Sequence, residues 1–259
     1  MKRVALLLAC AAACKSGPES KPSPQPDRAA AYKAVVDAPD RSEADRKLDS
    51  GRHPLEMLEF LQARPGMKVL DLGSGGGYTT ELIARAIAPG GVIYMQNDPS
   101  WMPFLKDALA ERFTHPAMQG VVRADVPFED PAPAEAKDLD LVVINVIYHD
   151  VANMPVDRAR MNKAIFDTLR PGGVYVVIDS SAKDGTGLSE TKTLHRIDES
   201  VVKDEVPKAG FRLDGEGNFL RNPSDPRDWN ASPGAATKEG KRGTSDRFAL
   251  RFVKPDSSK

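Results

Sequence analysis

The sequence predicts an open α/β fold, a seven-stranded and mostly parallel sheet with helices on both faces and a C-terminal antiparallel hairpin. Short β-branched runs alternate with amphipathic helical stretches from Pro54 onward, the pattern of βαβ units. Helical stretches stop at Pro65-Gly66, Pro89-Gly90-Gly91 and Arg170-Pro171-Gly172-Gly173, where proline and glycine cannot continue them. No helical pattern separates the last two strands, so that pair returns directly on itself.

The first residues stand apart from this domain. Lys2 and Arg3 precede an apolar run from Val4 to Ala13, long enough for an export signal and too short to cross a bilayer. Ala11-Ala12-Ala13-Cys14 is similar to the site where bacterial lipoproteins are cleaved and acylated, with Cys10 the alternative position. Residues 1–14 are therefore expected to be a signal, 15–31 a Pro- and Ser-rich tether and 32–259 a single domain. The expected location is periplasmic or membrane-anchored through Cys14, and cytoplasmic only if the signal is unused. Between Ala29 and His53, the charged residues Asp45, Arg46, Asp49 and Arg52 read as a solvated helix face in preference to cover over a site.

The domain's elements follow in order. Pro54 opens a helix with Leu55, Leu58 and Leu61 on one face, and Lys68 to Leu72 is the first strand. A helix from Tyr78 to Ala88 precedes strand two, Val92 to Gln96; Phe104, Leu105, Ala108 and Leu109 mark the next helix face. Val121-Val122 is a short third strand, and Leu139 to Ile147 is apolar enough for a fourth strand buried on both faces. A helix over Ala159 to Leu169, strand five at Val174 to Ile178, and a helix over Ile197 to Lys208, kinked or ended by Pro207, come next. Strands at Phe211 to Leu220 and Arg247 to Val253 close the sheet.

Composition narrows the function. The chain has 259 residues, with 36 basic against 37 acidic ones spread throughout, so no basic face for nucleic acid is expected. Both cysteines lie in the leader, leaving the domain no disulfide, thiolate ligand or cysteine nucleophile. No metal site is expected, and the expected partner is a small molecule.

The chemistry centres on Val69-Leu70-Asp71-Leu72-Gly73-Ser74-Gly75-Gly76-Gly77, a strand, a tight turn and a helix start at the carboxyl edge of the sheet. Gly73 permits the turn, while Gly75 and Gly77 let a ligand approach the backbone. A dinucleotide fingerprint would need glycine at position 78, where Tyr78 stands.

This loop resembles motif I of the class I S-adenosylmethionine-dependent methyltransferases, whose Rossmann-like fold matches the predicted order. The resemblance runs from about Pro54 to Val253 and includes Leu169 to Asp179 and Ala209-Gly210-Phe211. With Thr191 to Asp198 and Asp228-Trp229-Asn230, the chain is most similar to a group of predicted exported bacterial methyltransferases without a settled substrate. The resemblance implies S-adenosyl-L-methionine as cofactor, Asp71 beside its methionine part, Asn97 (or Asp98) at the ribose and Asp125 at the adenine amino group. Asn145, in the loop after strand four, is a further cofactor-binding candidate.

A substrate is expected beyond the same sheet edge. His149, beside Asp150, is a candidate base or a simple strand cap, and Tyr148 is the second catalytic candidate. His195 and Arg196 suit either an anionic substrate or a helix start. The long loop from Asn222 to Ser245 reads as a lid, with Trp229 anchoring it or covering substrate. Methyl transfer is the leading expectation. The alternatives are a non-catalytic exported lipoprotein that binds a nucleoside-like ligand in the same pocket, and a nucleotide-dependent oxidoreductase, which Tyr78 disfavours.

Overall fold

Residues 28–256 are described by the computed structural model; the expected leader, with Cys10 and Cys14, lies outside the described residues. The strands form one sheet in the order β3-β2-β1-β4-β5-β7-β6. β1 (Lys68–Leu72) pairs in parallel with β2 (Val92–Asn97) on one side and β4 (Leu139–Asn145) on the other. β3 (Val121–Asp125) extends the β2 edge, and β5 (Leu169–Ser180) continues beyond β4. β7 (Arg247–Val253) is inserted antiparallel between β5 and β6 (Arg212–Gly217). Chain order reverses between β1 and β4, which opens a crevice at their carboxyl ends.

Strand periodicity distributes the core to both faces. Val69, Val143 and Val176 pack against α3 (Pro54–Leu61) and α4 (Tyr78–Ile87). Leu70, Val142 and Val177 pack on the opposite side, against α7 (Arg158–Thr168) and α8 (Glu199–Lys208). Burial on both faces is why these strands read as continuous apolar runs.

Several expected boundaries shift for local reasons. β4 stops at Asn145, short of Ile147, because Val146 has φ 60° and turns the chain into the single-turn helix α6 (Tyr148–Val151). β5 begins at Leu169 instead of Val174; the Pro171-Gly172-Gly173 turn is absorbed as an irregular strand start beside the register shift at Leu139/Leu141. In α5 (Met102–Arg112) Leu109 is buried, but Phe104 is 84% exposed, so the expected apolar face is only partly used.

The domain also starts earlier than residue 32. α1 (Arg28–Val36) seats Tyr32 in the core, where its hydroxyl donates to the Ala63 carbonyl at 2.7 Å. α2 (Glu43–Arg52) is capped by Ser42, whose hydroxyl accepts from the Asp45 amide. A last helix, α9 (Pro233–Lys238), lies within the long loop before β7.

Candidate active site

The turn after β1 is held by the end of β2. Gly73 donates its amide to Gln96 Oε1, Ser74 to the Gln96 carbonyl and Gly75 to Asn97 Oδ1, at 2.8, 2.9 and 2.8 Å. These amides are thus satisfied inside the protein and do not form the donor nest that a pyrophosphate needs. The turn instead supplies a low-profile backbone. Gly75 has φ 55°, and a Cβ there would meet nothing within 4 Å, so the space above it is open. A Cβ on Gly73 would lie 2.6 Å from Ile147 Cγ2, which seats the turn against the residue following the β4 bend.

Gly77 departs from expectation. Its Cβ position faces Met95 and Arg112, not the crevice, so this glycine serves helix entry at φ 85°. Asn97 is also turned inward: it is buried, and its amide nitrogen donates to Ser74 Oγ at 3.0 Å while its oxygen accepts from Gly75. The expected ribose contact is corrected accordingly, because the carboxamide is committed to bracing the turn. Asp98 Oδ1 accepts from both the backbone amide and the hydroxyl of Ser100, at 2.9 and 2.6 Å, and Asp98 does not line the cavity. Asp125 ends β3 in an ion pair with Arg123 at 2.7 Å and does not line the cavity.

Asp71, Gly73, Gly75, Asn145 and His149 do converge, on a cavity of about 380 Å³ at the carboxyl ends of β1 and β4. Burial lifts the Asp71 carboxyl to about 7, against the hydrogen bond from Thr80 and the charge of Arg52. Asn145 Nδ2 donates to Thr79 Oγ1 at 3.1 Å, tying the end of β4 to the start of α4.

Asp45 and Arg52 of α2 line this cavity, contrary to the solvated-face expectation. Asp45 accepts from Arg112 Nη2 at 2.8 Å, and Arg112 Nε donates to the Gly76 carbonyl at 2.9 Å, so a guanidinium braces the glycine turn from outside. Asp49 accepts from the Tyr78 hydroxyl at 2.7 Å. Arg52 lies over the Tyr78 ring at 4.5 Å and lines the cavity.

At the opposite end stand His149, Asp150 and His195. His149 Nδ1 lies 2.7 Å from Asp179 Oδ1, and the second Asp179 oxygen accepts the His149 backbone amide at 2.8 Å. His149 Nε2 and His195 Nδ1 each lie 3.3 Å from Asp150 Oδ1. Burial opposes charge on His149, but Asp179 and Asp150 override it and raise the imidazole to about 10. Both ring nitrogens of His149 thus face carboxylates. Tyr148 is corrected as a catalytic candidate: it is fully buried, donates to Glu205 Oε2 at 2.8 Å and accepts from Asn162 at 2.9 Å, on the side away from the cavity.

Arg196 is bonded inside the protein. It is completely buried, donates to Asp225 Oδ2 at 2.8 Å and to the carbonyls of Ser181 and Trp229 at 3.0 Å, and lies 4.6 Å over the Trp229 ring. Trp229 donates to Asp225 Oδ1 at 2.7 Å, so it anchors the long loop, whose Ala231 to Pro233 reach the cavity wall. Behind them a side pocket of about 80 Å³ is bordered by Arg52, Arg242 and Arg247. Among the described residues none of the three is ion-paired; Arg247 donates to the Gly51 carbonyl and Ser245 Oγ. Burial and the neighbouring Arg52 push Arg247 down to about 10. Sequence reasoning missed Arg112, Asp179 and Arg247. The only available signal was Asp179, at the end of the fifth-strand run.

Residues 27–102 match the family described as protein-L-isoaspartate(D-aspartate) O-methyltransferase, and residues 70–177 match a methyltransferase domain family. A protein-L-isoaspartate O-methyltransferase of Aeropyrum pernix is 37% identical over 70 residues, 27% of this chain and 26% of that protein, so the match spans about a quarter of that relative. An uncharacterized methyltransferase of Synechocystis is 26% identical over 166 residues, 60% of this chain and 72% of that protein. The crystal structure of an S-adenosylmethionine-dependent methyltransferase from Aquifex aeolicus has the same fold, with a TM-score of 0.56 at 13% identity, covering 87% of this chain and 98% of that one.

Proposed function

Given a chain with the fold and sequence motifs of the class I S-adenosylmethionine-dependent methyltransferases, we propose that it transfers a methyl group from that cofactor to a small anionic molecule. The observation that carries the reading is the β1 turn. Its amides are bonded to Gln96 and Asn97, its Gly75 faces open space, and Asp71 is buried below it. That arrangement suits a ligand with cationic groups and no phosphate. Asp71 would hold the ammonium of the methionine part, and the sulfonium would supply an activated methyl, so the protein has mainly to align a nucleophile and exclude water. The unpaired arginines of the side pocket attract an anionic acceptor to the end of the cavity bordered by His149.

Nothing in the relatives or fold neighbours favours a non-catalytic binding protein. The same bonded amides weigh against a dinucleotide. Calorimetric titration with S-adenosylmethionine, its demethylated product and NAD tests the reading: binding of the first two and not the third is expected, and NAD binding alone would overturn it. Labelled cofactor with a panel of small organic anions then identifies the acceptor. His149→Gln is expected to keep cofactor affinity while lowering turnover by roughly 10²-fold or more, because it disturbs the acceptor end only.

A further inference from the structure

We propose that His149, Asp150 and His195 form a divalent transition-metal site at the acceptor end of the cavity, with its remaining coordination positions open to an oxygen of the methyl acceptor. His149 Nε2, an Asp150 oxygen and His195 Nδ1 all lie within 4.8 Å of one another, and two of the separations are 3.3 Å. Metal–nitrogen bonds of about 2.1 Å in tetrahedral geometry place neighbouring ligand atoms about 3.4 Å apart, so these atoms need to move little.

The surroundings are those of a ligand set. Asp179 is fully buried and accepts from the His149 ring at Nδ1 and from its backbone amide, which fixes the ring orientation and turns Nε2 toward the other two groups. A carboxylate behind a ligating histidine is the usual device that orients such a ring. His149 and Asp150 lie in α6 and His195, at φ 50°, at the end of the loop before α8, so two separate segments are brought to one point. All three residues line the cavity. Two imidazoles and one carboxylate leave positions open, the composition of reactive metal centres and not of closed structural ones.

The acceptor's place follows, and this part alone rests on the methyltransferase reading. A hydroxyl-bearing organic anion would direct its anionic group to Arg52 and Arg247 and its hydroxyl to the metal. A bound metal would lower the hydroxyl's proton affinity, and the proton would leave to solvent. The oxygen would then be placed to attack the sulfonium methyl, forming an O–C bond while the C–S bond broke with its electron pair remaining on sulfur.

The test titrates the metal-stripped full-length protein with Zn²⁺ and Co²⁺. One equivalent should bind, and Co²⁺ should give visible absorption of a nitrogen- and oxygen-ligated site. Asp150→Asn and His195→Ala, each first shown folded by a thermal melt, should abolish that spectrum, whereas Asp179→Asn should weaken affinity by about 10- to 100-fold. Cofactor affinity of the stripped protein and of these variants, measured in parallel, should stay within about threefold. Sub-stoichiometric binding, or an unchanged Co²⁺ spectrum in His195→Ala and Asp150→Asn, overturns the metal site. Metal binding without cofactor binding leaves the site standing and overturns the methyltransferase reading instead.

Discussion

A buried carboxyl group raised to about 7 makes the cavity a compromise between stability and binding. In the unfolded chain Asp71 releases its proton near the ordinary 3.8, and in the folded protein near 7. Between those values the folded state binds more protons, so this residue's contribution to stability falls as pH rises through the window and then levels off. Asp71→Asn should therefore raise the melting temperature of the ligand-free protein at pH 8 while weakening cofactor binding by about tenfold or more, the loss of a charge-assisted contact. Melts and titrations at pH 5 and pH 8 check both halves; a variant no more stable than wild type at pH 8 would contradict the first. In the wild type, a cationic ligand that favours the carboxylate should displace a proton, so affinity should rise from pH 5 to 7 and flatten above. Gly75→Val puts a β-branched side chain at φ 55° and into the open space above the turn. A variant that remains folded by circular dichroism should lose cofactor affinity by about 10² or more; unchanged binding would remove the turn from the site.

The loop before β7 depends on one buried charge pair. Arg196 and Asp225 are both almost fully buried, and Asp225 also accepts from Trp229 and from the Asp246 amide. Asp225→Ala leaves that guanidinium without its counter-charge, which costs about 3–5 kcal/mol when such a pair is broken. The expected result is a lower melting temperature with early proteolysis between Asn222 and Ser245, while an unchanged digestion pattern would mean that the loop is held elsewhere. At this scale the sequence was readable wherever periodicity and punctuation agree. Lys68–Leu72 and Arg247–Val253 appear with the expected limits because apolar strands end there at a glycine turn or a polar tail. It was misleading where partners are remote. Asp45 and Asp49 resemble solvated charges until Arg112 and Tyr78, 67 and 29 residues away, are folded against them. The inward turn of Asn97 and the core-facing hydroxyl of Tyr148 were likewise illegible, since strand and helix periods say nothing of which way the next residue's side chain bends.

For the whole molecule, the sheet order and the glycine turn were legible, and so was the meeting of Asp71, Gly75, Asn145 and His149 at one edge. The leader is a separate matter, resting on residues 1–14 alone. Expressed in a bacterium with lipoprotein processing, the chain should appear in the membrane fraction with its N-terminus at an acylated Cys14, and intact Met1 in the soluble fraction would refute that. Among the described residues β7 lies between β5 and β6 and provides the only ladder that joins β6 to the rest of the sheet. Without Arg247 to Val253, β5 would keep a bare edge and β6 would have no strand beside it, so β7 is the keystone of that side of the sheet: remove it and two strands lose a partner at once.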